Sequence, residues 1–249
     1  LKFFLDRKVQ TYNTKAFIAK DPISVPHQFS KKQDIEIAGF FAAIIAWGNR
    51  TTIIQNANRI MHAMENDPYH FICHHKPNDL KAFLTIKHRT FQPTDILYFI
   101  HFLQYHYSKH KSLESAFFFS TSSNIKENLI RFHNYFFSLE HPERTRKHIS
   151  TPQKNAACKR LAMYLRWMVR SDKQGVDFGI WKTCKPEHLI CPLDIHVSRV
   201  AYRLGLLPNE KATWMHAEIL TKNLRQLDAS DPCKYDFALF GLGAEERVK

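Results

Sequence analysis

A row of cationic side chains on one predicted helix is the first feature of the sequence that could do chemistry. In the segment AACKRLAMYLRWMVR, residues 156–170, a rotation of about 100° per residue separates an apolar face from a stripe with Lys159, Arg166 and Arg170. Three cations in a row repel one another unless an anion lies against them or their long side chains extend into water. A nucleic-acid backbone would supply that anion.

The charge of the surrounding sequence favours the same partner. Residues 144–170 include eight Lys and Arg residues and no Asp or Glu, whereas a solvated helix face usually mixes the two signs. The whole chain has a formal net charge of +13 and a pI near 9.5. Nucleic acid is the usual partner of such a protein; an anionic membrane surface and a merely basic protein are the alternatives.

Asp194 stands at the start of a second segment of interest, CPLDIHVSRVAYRLGLL, residues 191–207. Pro192 and Asp194 occupy the place where a helix should begin, and apolar residues from Val197 onward supply its buried stripe. A carboxylate there accepts hydrogen bonds from the N–H groups of the first turn and interacts favourably with the helix dipole. The pattern by itself therefore predicts that Asp194 is an N-cap.

The same segment resembles the region of the catalytic aspartate in the endonuclease III branch of the helix-hairpin-helix DNA glycosylases. That family's pattern D-x-H-x-x-R-V-x-x-R is met by Asp194, His196, Arg199, Val200 and Arg203. Lys159, followed by Arg160, resembles the family's lysine at the start of an upstream helix. The interval from this lysine to the aspartate is more like that of the archaeal 8-oxoguanine glycosylases. The strings RWMVR and FALFGLG look closest to an uncharacterised bacterial family of the same superfamily, and the resemblance covers about residues 150–243.

The resemblance implies a base-excision repair glycosylase with AP lyase activity on damaged double-stranded DNA. Lys159 would attack C1′ of the sugar, displace the base and form a Schiff base, and Asp194 would stabilise the cationic sugar or assist deprotonation of the lysine. Basic side chains would bind the backbone and help to offset the cost of flipping the nucleotide. Those expected to bind DNA are Arg146, Lys147, Lys154, Arg160, Arg166, Arg170 and Arg199. A DNA-binding protein of the same fold that has lost catalysis is the alternative.

The hairpin departs from the family's pattern. The family has a Gly-rich L-P-G-V-G turn whose backbone N–H groups hold a phosphate, but the corresponding stretch STPQKNAA, residues 150–157, has no glycine. Any positive-φ position would then fall to Asn155, because asparagine tolerates the left-handed region better than most residues. The side chains of Lys154 and Arg146 would replace the backbone as phosphate ligands. We therefore expect an atypical hairpin.

Four aromatic side chains are candidates for stacking on a flipped base, with core packing as the alternative for each. They are Trp47, Trp167, Phe178 and Trp181. Trp47 begins the string WGNR, which resembles the place where family members have base-contacting loops.

Histidines and cysteines are the possible ligands of a metal. The pairs His74–His75 and His106–His110 suggest a metal-dependent hydrolase as a further alternative, but acidic partners at helical spacing are sparse nearby. The five cysteines are scattered and form no C-x-x-C pair, so neither a disulfide framework nor an iron–sulfur cluster is expected. We expect no metal and no cofactor.

Hydropathy and cysteine usage indicate the compartment. No run of about 18 apolar residues is free of charge, and charged residues interrupt the first ten positions, so neither a membrane span nor a signal peptide is expected. Reduced thiols are typical of the cytoplasm. We expect a cytoplasmic monomer that is associated with the nucleoid when bound to DNA.

Helical periodicity dominates the chain and predicts an all-α, two-lobed, glycosylase-like fold. A basic, polar stretch around Pro142 suggests a boundary between an N-terminal helical lobe, residues 1–143, and a C-terminal lobe, residues 144–249, with the lysine helix and the aspartate motif. Pro232 is expected to begin the last helix, and Gly241 and Gly243 to end it. The predicted helices cover residues 3–12, 33–47, 51–64, 79–84, 94–107, 124–138, 156–170, 194–204, 210–224 and 232–241.

Overall fold

The computed structural model describes residues 1–118 and 124–244, and this part of the chain contains helices and no β-strand, which confirms the all-α prediction. The α-helices are Lys2–Tyr12 (α1), Lys15–Ile18 (α2), Lys32–Ile44 (α3), Arg50–Ala63 (α4), Pro68–His74 (α5), Pro93–Tyr107 (α6), Glu114–Phe117 (α7), Ile125–Phe136 (α8), Lys159–Val169 (α9), Ile195–Arg203 (α10), Trp214–Leu227 (α11) and Tyr235–Ala244 (α12). Short 3-10 helices are Pro22–Ser24, Pro26–Gln28, Asp79–Phe83, Glu143–His148, Pro152–Lys154, Pro186–His188 and Pro232–Lys234.

The described residues divide into two compact units. The first comprises residues 1–17, 124–130 and 150–244, and the second comprises residues 18–118 and 131–149. The predicted lobes differ from these units in three places: residues 1–17 and residues 124–130 belong with the C-terminal part of the chain, and residues 144–149 belong with the second unit. The physical reason for the first difference is that α1 packs against α12.

Helix α12 is the centre of the first unit. Its residues from Tyr235 to Leu239 are all buried, and it packs against α1 on one side and α10 on another. The prediction that Gly241 and Gly243 end this helix is wrong, because α12 continues to Ala244. The two glycines instead let neighbouring helices approach closely: a Cβ on Gly241 would lie 2.2 Å from the Tyr12 ring, and one on Gly243 would lie 3.3 Å from Val200 Cγ2.

The Gly241→Ala substitution is therefore expected to lower the free energy of unfolding by about 1–3 kcal/mol, the usual cost of overpacking a core, because α1 has to move away from α12. Urea titration followed by circular dichroism measures this change. Gly243→Ala is the matched control, since its Cβ would lie 3.3 Å from the Val200 methyl group and at an ordinary contact distance of 3.5 Å from the His196 carbonyl oxygen, and alanine is the better helix former. Equal effects of the two substitutions would contradict the close approach of α1 at Gly241.

The second unit is built around α3, in which residues 34–44 are all buried. Phenylalanine rings from α3, α6 and the end of α8 form much of this core; Phe40 and Phe99 stack at 5.5 Å, and Phe99 and Phe136 meet edge to face at 4.8 Å. Helices α2, α5 and α7 were not predicted, and the predicted helix at 79–84 is the 3-10 helix Asp79–Phe83. Two of the missed helices have only four residues, too few for a periodic pattern. None of the described helices is long and apolar enough to cross a membrane.

Candidate active site

Lys159 and Asp194, the two residues predicted to carry the chemistry, lie side by side in the first unit. Lys159 is the first residue of α9, and Asp194 immediately precedes α10. Lysine Nζ is 3.2 Å from aspartate Oδ2, and the two side chains are 27% and 26% exposed. The pair is therefore held by protein on most sides but remains open to a ligand.

The predicted N-cap role of Asp194 is confirmed. Its Oδ1 accepts hydrogen bonds from the backbone N–H groups of His196 and Val197, each at 2.9 Å, while Oδ2 faces Lys159. Burial by itself would raise the pKa of Asp194, but the Lys159 charge and the Val197 N–H hydrogen bond lower it below its ordinary value. The carboxylate is thus fixed in direction and ionised near neutral pH.

The loop before α9 makes its turns without glycine. Asn155 adopts the left-handed conformation at φ 54°, as predicted, and Cys158 does so at φ 52°, which was not predicted. The Asn155 carbonyl accepts from the Trp214 N–H at 3.1 Å, and its Oδ1 accepts from the Met215 N–H at 3.3 Å. These bonds anchor the loop to the start of α11 and fix the position of Lys159. Burial raises the pKa of Cys158 to about 11, so this neighbouring thiol stays protonated.

The prediction that Arg166 and Arg170 bind DNA is wrong. Both are buried, at 3% and 2% exposure, and their guanidinium groups are paired with aspartates inside the first unit. Arg166 contacts Asp236 and lies 3.3 Å from Asp177. Arg170 lies 2.9 Å from Asp177, 2.7 Å from Asp172 and 2.8 Å from Asp231. No pattern in the sequence indicated these aspartates as partners of the two arginines.

The other cations predicted to bind DNA are more accessible. Lys147, Lys154 and Arg199 are exposed, and Arg199 forms an ion pair with Glu210 at 3.3 Å. Arg160 is partly buried, and burial lowers its pKa to about 10. Arg146 belongs to the second unit, where it pairs with Glu143 at 3.1 Å and lies over the Phe137 ring.

The predicted stacking residues have different environments. Trp167 and Trp181 are 0% and 1% exposed, so the prediction that they stack on a base is wrong for these two; Trp181 packs edge to face on Tyr164 at 5.3 Å. Phe178 is partly buried. Trp47, also partly buried, belongs to the second unit, where its ring meets His88 edge to face at 5.0 Å and stacks on His148 at 6.0 Å.

Three of the four histidines that suggested a metal site have hydrogen-bond partners within the protein. His106 is buried and hydrogen-bonds the Ser112 carbonyl and the Tyr135 hydroxyl, and burial lowers its pKa to about 4. The imidazoles of His74 and His75 bond backbone carbonyls of α5. Within residues 1–118 and 124–244, no three His, Cys, Asp or Glu side chains are grouped as metal ligands would be.

Comparison with known proteins gives one match. A family model described as "Protein of unknown function (DUF2400)" matches residues 21–245, which include Lys159, Asp194 and the loop before α9. No curated protein and no solved structure matches the chain.

Proposed function

Since this chain belongs to the DUF2400 family, which carries no described activity, we propose from the site itself that it is a DNA base-excision glycosylase with AP lyase activity. The observation that carries the proposal is the pairing of Lys159 Nζ with Asp194 Oδ2 at 3.2 Å. An amine beside an oriented carboxylate, each at a helix start and open to a ligand, suits nucleophilic attack on a sugar carbon. The D-x-H-x-x-R-V-x-x-R resemblance adds the substrate class.

In the proposed reaction Lys159 first gives up a proton to solvent water and acts as a neutral amine. Its lone pair forms a bond to C1′ while the glycosidic bond breaks, and the base leaves with the bonding electrons and takes up a proton. The sugar ring then opens as the C1′–O4′ bond breaks, O4′ gains the proton lost from the nitrogen, and a Schiff base remains. Loss of a C2′ proton to water from this iminium would then form a C2′–C3′ double bond while the C3′–O bond breaks, and the 3′ phosphate would leave with the bonding electrons, which nicks the strand.

Asp194 supports the proposed reaction electrostatically. Its lowered pKa makes it a weak base, so stabilisation of positive charge on the sugar suits it better than proton abstraction. Because backbone N–H groups fix its Oδ1, the carboxylate need not reorient as that charge develops. This is the electrostatic preorganisation that lowers barriers in enclosed sites.

Duplex DNA would be bound by the accessible cations, with the reaction taking place in the cytoplasm. Lys147, Lys154, Arg160 and Arg199 remain in this proposal together with Arg146, whereas Arg166 and Arg170 leave it. We expect the affinity for a short duplex to fall steeply with salt, with a log–log slope of about −0.9 per phosphate contact.

Lys154→Gln is expected to flatten that slope by about one contact, because Lys154 is exposed in the loop that leads to Lys159. Fluorescence anisotropy at several salt concentrations measures the slope. Lys20→Gln is the matched control: it removes the same charge from another exposed position and should leave the slope unchanged. Binding that does not depend on salt would exclude the nucleic-acid proposal.

The direct test of the activity is a panel of duplexes that contain 8-oxoguanine, uracil, hypoxanthine, thymine glycol or an abasic site. Borohydride is added to reduce any imine to a stable amine, and the cross-linked product is counted on a denaturing gel. A cross-link with at least one lesion is the expected result.

One observation favours a second candidate, a binding protein that has lost catalysis. The left-handed positions of the loop before α9 are Asn155 and Cys158 rather than glycines. Side chains are therefore present where the glycosylase family has glycines, whose backbone N–H groups hold a phosphate. This candidate predicts salt-dependent duplex binding without a product from any lesion in the panel.

A further inference from the structure

A column of aspartates opposes the cationic stripe of α9. Lys159, Arg166 and Arg170 are spaced i, i+7 and i+11, so they lie within about 40° of one another around the helix. The carboxylates that pair with this stripe come from four places in the first unit: Asp194 before α10, Asp172 and Asp177 after α9, Asp231 before the 3-10 helix Pro232–Lys234, and Asp236 on α12.

The aspartate column and the cationic stripe together carry more negative than positive charge. Five carboxylates face three cations, so these eight side chains together carry an excess of two negative charges when all are ionised. The side chain of Asp177 is fully buried and that of Asp236 is 9% exposed. Lys159 and Asp194, at the start of α9, are more exposed and form the open end of the arrangement. Water screens a buried charge poorly, so the charge of a buried carboxylate acts most strongly on the groups nearest to it.

Asp236 is the buried carboxylate best placed to act on that end. It contacts Arg166, and its helix, α12, packs directly against α10, the helix that Asp194 caps. Burial raises the pKa of Asp236 to about 6; the Arg166 and Lys159 charges oppose this rise, and the Asp194 charge adds to it. Asp236 is therefore coupled electrostatically to both members of the catalytic pair without lying in the open part of the site.

We propose that Asp236 is a positioning residue: through Arg166 it holds excess negative charge behind the Lys159–Asp194 pair, and this charge favours a positive centre at the site. The inference rests on the proposed function, in which the sugar becomes cationic. It differs from the role of Asp194, because Asp236 touches neither the substrate nor the reacting atoms.

The test compares two duplexes that contain abasic-site analogues of nearly equal shape. Pyrrolidine carries a positive charge and tetrahydrofuran is neutral, so the ratio of their affinities reports the field at the site, while a change in folding or in general DNA affinity moves both together. Wild-type protein should prefer pyrrolidine, and Asp236→Asn should reduce that preference about tenfold at pH 7.5. Asp231→Asn is the matched control: it removes the same charge beside Arg170, at the far end of the column, and should change the ratio much less.

A pH series gives a second measurement that needs no change at Asp236. Because its carboxyl is ionised only above about pH 6, the preference for pyrrolidine should increase as the pH rises through 6. The series is measured on protein that carries His196→Gln, which removes the imidazole beside Asp194. It is repeated with Asp231→Asn added, since burial also raises the pKa of Asp231.

Several charged or titratable groups face Asp236. They are Lys159 and Arg166 of α9, Asp177, Asp194 and the thiols of Cys191 and Cys233; burial raises the pKa values of both thiols well above the ordinary range.

The outcomes separate this inference from the proposed function. A ratio that does not change with pH, or that Asp231→Asn changes as much as Asp236→Asn, would overturn the role of Asp236 and leave the glycosylase proposal intact. If wild-type protein binds neither analogue better than undamaged duplex, the glycosylase proposal fails and this inference fails with it.

Discussion

Lys159→Gln should abolish borohydride cross-linking to abasic or damaged DNA, because glutamine has no amine to form the imine that borohydride reduces. Duplex affinity should stay close to that of the wild type, since one of many cations is lost. Peptide mapping of the wild-type adduct should place the sugar on Lys159. Lys154→Gln is the control: its lysine lies in the same loop region but is not paired with Asp194, so cross-linking should persist.

Two results would contradict the assignment in different ways. An adduct on another lysine, such as Lys154, would remove Lys159 from the reaction but keep the class of enzyme. The absence of an adduct with any lesion, combined with salt-dependent binding, would favour the binding protein without catalysis.

Asp194→Asn should slow base removal by about a thousandfold, the size of effect that follows the loss of a preorganised electrostatic contact in other enzymes. The substitution keeps the shape of the side chain but removes the negative charge next to the sugar. Asparagine caps helices about as well as aspartate, so the free energy of unfolding should change by less than about 1 kcal/mol. Single-turnover kinetics on the best substrate and urea titration provide the two measurements.

The control for Asp194→Asn is a cap in the same unit that lies outside the candidate site. Asn124 caps α8 by accepting from the Lys126 and Glu127 N–H groups, and Asn124→Ala should destabilise the protein by about 1 kcal/mol with little effect on the rate per folded molecule. If Asp194→Asn instead lost activity only in proportion to unfolding, Asp194 would be a helix cap and nothing more.

Local signals were enough to predict the start of α10 but not that of α9, which begins at Lys159 rather than at the predicted residue 156. Asp194 after Pro192 is an N-cap pattern that depends on adjacent residues alone, and Asn155 was the residue of its stretch that best tolerates a positive φ. The contact between Lys159 and Asp194 is different, because no local pattern determines the distance between two helices. Only the resemblance to a family indicated that these two residues would meet.

The error over Arg166 and Arg170 has a clear physical origin. An anion does lie against the cationic stripe, as electrostatics required, but it comes from the protein. Residues 144–170 contain no acidic residue. The acidic partners of these two arginines lie outside that window, at Asp172, Asp177, Asp231 and Asp236. A linear count of charge measures neighbours in sequence, whereas ion pairs depend on neighbours in space.

Helical periodicity likewise did not predict that Trp167 and Trp181 are buried. An amphipathic pattern predicts one covered face, yet every residue from 161 to 170 is buried. The segment after α9 covers the helix, with the Phe178 N–H donating to the Trp167 carbonyl at 2.8 Å and the Trp181 N–H to the Met168 carbonyl at 2.9 Å. Trp167 and Trp181 are thereby enclosed, although the sequence pattern left them available to a ligand.

The packing of α1 on α12 has a consequence for the order of events during protein synthesis. Helix α1 ends at Tyr12 and α12 begins at Tyr235, so at about 5–20 residues per second the ribosome leaves α1 without its partner for on the order of ten to forty seconds. The second unit lies within residues 18–149 and emerges well before α12. It can fold while the first unit still waits for α12, and during this interval the apolar side of α1 is open to chaperones.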